Sequence, residues 1–182
     1  MPLGTIRARR RRTRAGFGHL VPREHDDRVT WKRRVTWKQG RVLRSDDEID
    51  ELLVRTRSVA VVGVSGDSKR PSRRVAAYLI GATEWTVHLV NPNIDEALGR
   101  DVYPSLADLP EPPDIVDTFR RVEHLATVVT DAIAAGAGAV WFQLGLVDDV
   151  AAATATEAGL DVVQDHCLRV ELYRWQHANT QP

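Results

Sequence analysis

The chain has 182 residues and a formal net charge of zero at pH 7, enough for one domain with a sizeable core and too few for two ordinary domains. The neutral total hides a division, because through Ser45 there are 14 Lys/Arg against 3 Asp/Glu and beyond it 11 against 22. No apolar run of about 18 residues is available to span a membrane, no basic stretch leads into an apolar run with a small-residue cleavage site, and the single cysteine, Cys167, excludes an internal disulfide; a small soluble, cytoplasmic protein is expected.

Residues 1–45 read as a basic, disordered extension. The run Arg9–Arg12, with Arg7 and Arg14 beside it, could contact nucleic acid or a membrane surface, since clustered guanidinium groups bind phosphate by releasing counterions. Arg28-Val29-Thr30-Trp31-Lys32 is repeated as Arg34-Val35-Thr36-Trp37-Lys38, too short and in too few copies for a solenoid. Composition favours a solvated tail, or an upstream-extended reading frame, over a nucleic-acid arm.

A domain is expected over 46–175, with 176–182 as a tail. Ser45, followed three residues later by Glu48 and by apolar Ile49, Leu52 and Leu53, has the form of a capped helix. Ser58 to Gly63 is a continuous apolar run ended by glycine, which suits a strand buried on both faces of a parallel sheet. Ser72 to Ile80 has helical spacing, and Thr86 to Val90 reads as a second strand stopped by Asn91-Pro92. Asp101 to Tyr103 is a short third strand. After the proline-rich turn at 110–113, Ile115 to Phe119 reads as the fourth, Val122 to Ala135 as a helix closed by Gly136, and Ala139 to Leu144 as the fifth strand. Asp148 to Ala158 is helical, and Asp161 to Val163 is the sixth strand. This alternation predicts an α/β fold: a Rossmann-like, doubly wound parallel sheet whose ligand sits beyond the carboxyl ends of the strands. Gly63, Asn91, Phe119 and Gly145 stand at such ends, so one crevice is expected there.

The turn Gly63-Val64-Ser65-Gly66 brings backbone amides and a helix N-terminus to an anion, which suits phosphate but identifies no more than that. It departs from the Gly-x-Gly-x-x-Gly pattern of dinucleotide binders. Asn91 stands where those proteins usually place an Asp or Glu for the ribose hydroxyls, which disfavours NAD. Lys69, Arg70, Arg73 and Arg74 follow the loop at a helix start, where positive charge opposes the macrodipole and a polyanionic ligand would compensate. A solvated helix start is the plainer reading of the same residues.

In sequence order the residues resemble the small stand-alone CoA-binding proteins with a Rossmann-type domain, similar to the N-terminal domain of the succinyl-CoA synthetase alpha subunit. The resemblance covers about Val59 to Glu171. It is carried by Val61-Val62-Gly63-Val64-Ser65, Arg70-Pro71-Ser72, Val90-Asn91-Pro92, Gly99 to Leu106, Asp114-Ile115-Val116-Asp117, Phe119-Arg120-Arg121, Ala139 to Gly145 and Asp165-His166-Cys167. Phe142 and His166 depart from the family's more usual Leu and Arg. The resemblance implies that Gly63, Val64, Ser65, Lys69, Arg70, Pro71 and Ser72 hold the phosphate-rich end of coenzyme A and that Asn91 and Pro92 border the adenosine. It further implies Phe119 and Arg120 against the pantetheine–pyrophosphate region, with Gln143 to Gly145 closing the crevice. Trp141 and Phe142 are equally well explained as core, and Arg121 as surface.

No catalytic residue is assigned. The histidines at 88, 124, 166 and 177 lie in unlike contexts, no nucleophile–base signature accompanies them, and no paired metal-ligand spacing predicts a metal. Cys167 beside His166 could be an activated thiol, yet a buried structural cysteine is the favoured reading. The expected function is binding of CoA or acyl-CoA by a non-catalytic module. The alternatives are an NAD(P)-binding regulatory protein and the CoA-binding component of an acyl-CoA ligase that acts with a separate partner. No protein partner is legible in the sequence.

Overall fold

The computed structural model describes residues 40–178. The Arg9–Arg12 run, the repeat at 28–38, most of the basic extension and residues 179–182 lie outside the described residues, as do the readings attached to them.

The first helix, α1 (Asp46–Arg55), begins at the capping box visible in the sequence: Glu48 N–H donates to Ser45 Oγ at 3.3 Å, and Ser45 N–H donates to Glu48 Oε2 at 3.2 Å. The Arg44 N–H and then the Ser45 N–H, both donating to Glu48 Oε2, hold this carboxyl below the usual carboxylate range. The chain then runs through β1 (Ser58–Val62), α2 (Pro71–Ala82), β2 (Thr86–Val90), β3 (Glu96–Ala97), β4 (Arg100–Tyr103), β5 (Ile115–Thr118), α3 (Leu125–Ala135), β6 (Ala139–Phe142), α4 (Asp149–Glu157), β7 (Asp161–Val163) and α5 (Leu168–Ala178).

The sheet order is β3-β4-β2-β1-β5-β6-β7. Every pairing is parallel except β3 with β4. The chain winds outward from β1 through β2 to β4, then returns to the other side of β1 as β5. A ligand crevice is expected where the winding reverses, at the carboxyl ends of β1 and β5.

Apolar residues cover both faces, which is why the strands read as unbroken hydrophobic runs. Val59, Val61, Ile115 and Trp141 pack with residues of α1, α2 and α5. Ala60, Val116, Val140 and Phe142 pack with α3 and α4. Adjacent residues on a strand face opposite ways, so Trp141 and Phe142, both fully buried, fill opposite layers of the core. Each contributes about 1.5–3 kcal/mol by leaving water.

The α/β Rossmann-like fold is the one expected, with local differences. β3 was not foreseen; it is a two-residue strand turned onto β4 through Leu98 and Gly99, both at positive φ. β5 and β6 end at Thr118 and Phe142, short of the expected Phe119 and Leu144, although Phe119 N–H still donates to Val62 O at 2.9 Å. Val122–His124 winds as a 3-10 turn before α3. Gly136 closes α3 in the left-handed conformation, φ 73°. The fifth helix, α5, was also unassigned, though Leu168, Leu172 and Trp175 repeat at helical spacing.

Candidate functional site

The glycine loop is built by its neighbours. Gly63 has φ +86°, and a Cβ there would lie 3.3 Å from Phe119 O and from Arg120 Cδ. Glycine therefore lets the ends of β1 and β5 touch, and its N–H donates to Val90 O at 2.8 Å. Gly66 has open space around it. Val64 is fully buried in the core, so only its backbone faces the loop. Asn91 Nδ2 donates to Val64 O at 2.7 Å, while Asn91 Oδ1 accepts from the N–H of Asn93 at 3.0 Å. Asn91 thus ties the end of β2 to the glycine loop, and both its polar atoms are occupied.

Beyond the loop, Ser65 Oγ accepts from Asp67 N–H at 3.1 Å, and Asp67 in turn accepts from Lys69 N–H through Oδ1 at 2.9 Å and from Arg70 N–H through its carbonyl at 3.1 Å. This short hydrogen-bonded turn delivers the chain to α2. That helix starts with Pro71 at its first position, has no side-chain cap, and has no acidic residue in its first turn. By contrast, α1 and α4 are capped by Ser45 and Asp148. The uncapped α2 terminus leaves N–H donors and the positive end of the helix dipole facing outward. Lys69, Arg70, Arg73 and Arg74 crowd this terminus, and none forms an ion pair among the described residues. Ser72 lies in the first turn, buried.

Among the described residues, two clefts stand at the carboxyl edge where one crevice was expected. The smaller, of about 150 Å³, is lined by Gly63 and Val90, by Pro92 and Pro104 to Leu106, and by α3 through Thr127, Val128 and Asp131, with His124 just before it. The larger, of about 360 Å³, is bounded by Pro71, Arg74 and Val75 of α2, Phe119, Gln143, Leu144 and Leu146, and Cys167 and Arg169. Arg120 lines both and forms no ion pair among the described residues. Of the residues singled out in the sequence, Gly63, Pro92 and Arg120 meet at the first cleft, and Pro71, Arg74, Phe119, Arg120, Gln143, Leu144 and Cys167 at the second. Val64, Ser65, Lys69, Arg70, Ser72, Asn91 and Gly145 line neither. Arg121 is exposed and, among the described residues, pairs with Glu123 at 3.6 Å.

The wall formed by β6 and β7 is cross-tied. Gly145, at φ +83°, donates its N–H to Asp165 Oδ1 at 2.6 Å, and Trp141 Nε1 donates to His166 O at 2.7 Å. Asp165 and His166 thereby bracket the rim, and Cys167, expected to be buried, is half-buried and lines the larger cleft. Below that cleft, Gln143 Nε2 donates to Asp117 Oδ1 at 2.7 Å. Asp117 is fully buried, and the loss of water pushes its carboxyl up to about 7 despite the opposing Gln143 bond. The sequence gives no site role to Asp117, Asp131, His124 or Arg169, although Asp117 lies in the Asp114–Asp117 segment that carries the resemblance. Their places depend on contacts between distant segments and follow no local motif. Among the described residues no group of three or more His, Cys, Asp and Glu could hold a metal ion, and no helix is long and apolar enough to cross a membrane.

Comparison with known proteins adds an identification to this geometry. The chain is 39% identical over 126 residues to the Bacillus subtilis (strain 168) protein YneT, spanning 69% of this chain and 93% of that protein. A solved hypothetical protein from Pyrococcus horikoshii OT3 superposes with a TM-score of 0.70 at 35% identity, over 76% of this chain and 99% of its own. A trans-feruloyl-CoA synthase from an unknown prokaryotic organism matches at 32% identity over 142 residues, which is 68% of this chain but 19% of that enzyme. The family model described as CoA binding domain matches residues 57–173, from the residue before β1 into α5, and the chain belongs to that family.

Proposed function

We propose that the crevice binds coenzyme A or an acyl-CoA without catalysing a reaction on it. The observation that carries this reading is the uncapped start of α2, crowded by cations that form no ion pair among the described residues and bordering the larger of two clefts that share Arg120. The phosphates lie at the α2 terminus, held by backbone amides of the Gly63–Ser65 turn and the first turn at Ser72, with Lys69, Arg70 and Arg73 around them. The adenosine occupies the smaller cleft beside Asn91 and Pro92, and the pantetheine arm passes Arg120 into the larger cleft between Pro71, Phe119 and Gln143. Gly145 shapes the rim. The NAD(P) alternative loses support because Asn91 brings no carboxylate to a ribose diol and its Oδ1 already accepts from Asn93.

A second reading is favoured by the match to a small part of a CoA synthase: the chain supplies CoA to a ligase formed with a separate partner. Nucleotide-driven thioester formation on adding a candidate partner tests it.

Calorimetric titration with CoA, dephospho-CoA, NAD and ATP tests the first. CoA should bind about 10- to 150-fold more tightly than dephospho-CoA, because one charge-assisted contact contributes about 1.5–3 kcal/mol, and more tightly than NAD. Equal binding of CoA and dephospho-CoA would remove the role given to the basic cluster, and absence of CoA binding would refute the reading.

A further inference from the structure

The floor of the larger cleft contains a pair that the binding of phosphates does not use. Asp117 stands on β5 between Val61 of β1 and Trp141 of β6. Its Oδ1 accepts from Gln143 Nε2, and its Oδ2 has no partner. Trp141 Nε1, the neighbouring donor on the same face, is committed to His166 O, and no cation among the described residues pairs with Asp117. A buried polar atom left unsatisfied costs about 1–3 kcal/mol, and an apolar residue would fill this place without that cost. Gln143, 5% exposed, lines the cleft directly above. With Nε2 turned down onto Asp117, its Oε1 accepts no bond from the described residues. The other polar side chains on the cleft are Arg74, Arg120 and Arg169, which only donate, and the Cys167 thiol. Gln143 Oε1 is thus the only side-chain carbonyl or carboxylate oxygen on that lining.

We propose that Asp117 is a positioning residue that holds the Gln143 amide with its oxygen toward the cleft, where it accepts an N–H from a secondary amide of the ligand. The pantetheine arm of CoA carries two such amides, so this inference rests on the CoA reading and gives that arm a polar contact. An ionised Asp117 must accept from Nε2 and so enforces the orientation. A neutral Asp117 can also donate its proton to the amide oxygen and let the amide turn over. No charged group of β1, β6, α2 or α5 forms an ion pair with Asp117; the charged groups on the cleft that Gln143 lines are Arg74, Arg120 and Arg169.

The test is titration of the wild type and the variants D117N, D117L and Q143L with CoA and with adenosine 3′,5′-bisphosphate, which lacks the pantetheine arm. Q143L and D117L should bind CoA about tenfold more weakly, the worth of one hydrogen bond, and the bisphosphate within about twofold of wild type. The ratio of CoA to bisphosphate affinity should rise in the wild type between about pH 6 and pH 8. In D117N it should stay flat at the lower wild-type value, and this arm decides the matter if D117L does not fold. Equal losses for both ligands, unchanged CoA affinity in Q143L, or the same pH trend in D117N would overturn the positioning role. Failure of the wild type to bind CoA would instead overturn the reading on which it rests.

Discussion

Replacing Asp117 by Asn should change how stability depends on pH. The buried carboxyl titrates near 7 in the folded protein against a usual 3.8, so the folded state holds a proton that the unfolded chain has already released. For a group whose value is raised on folding, stability is fully present below the unfolded value and is lost as pH rises toward the folded one. The window opens near pH 4 and closes near pH 7. At about 1.36 kcal/mol per pH unit, the full loss comes to about 4 kcal/mol. Asn has the shape of the neutral carboxyl, can still accept from Gln143 Nε2, and does not titrate. The two proteins should therefore lie within about 1 kcal/mol of each other near pH 4, and the variant should be the more stable by about 3–4 kcal/mol at pH 8. Urea unfolding free energies across that range measure the difference, and groups common to both proteins cancel. Parallel curves, or a gap that does not widen with pH, would refute the assignment of a neutral buried acid.

Gly63→Ala should cost about 1–2 kcal/mol, because the left-handed backbone strains any residue with a Cβ; in a thermal melt this is a drop of about 2–8 °C, and a shift below about 1 °C would contradict it. Asn91→Ala removes the tie to Val64 O and the acceptor for Asn93, and should lower the unfolding free energy in urea by about 1–3 kcal/mol. Asp165 combines φ 57° with the bond from Gly145 N–H. Asp165→Gly should lose only the bond and Asp165→Ala the bond plus backbone strain, so Ala should be the less stable in thermal melts, by about 1 kcal/mol; the reverse order would show that the backbone there is unstrained.

Features written in consecutive residues were the ones legible in the sequence. The β1 run, the Ser45–Glu48 box and the Gly136 cap each depend on a few neighbours, and each stands where its pattern put it. The start of α2 was legible for the same reason: a glycine loop, a proline and a set of cations lie within about ten residues. β3 has only two residues, too few for periodicity to register. The 3-10 winding at Val122–His124 shifts the start of α3 without changing its apolar spacing. The α3 wall of the smaller cleft, the Asp117–Gln143 pair and the exposure of Cys167 arise from packing across the sheet. No local pattern announces that a strand aspartate will be buried beneath a cleft. The helical repeat of α5 is present in Leu168, Leu172 and Trp175, inside the expected domain, but three apolar positions after the last expected strand are a short signal, and the helix runs on into the expected tail at 176.

The strand at the far end of the sheet also bears on how the domain avoids sticking to itself. Leu43 N–H donates to Val162 O, and Val162 N–H donates to Arg41 O, both at 2.8 Å, so the residues before α1 occupy the open hydrogen-bonding side of β7. The opposite margin is the two-residue antiparallel β3, too short to template another chain. Both margins are closed to strand addition. A version trimmed to begin at Asp46 would keep every cleft residue yet bare the β7 backbone and uncover the site filled by Leu43, inviting edge-to-edge association.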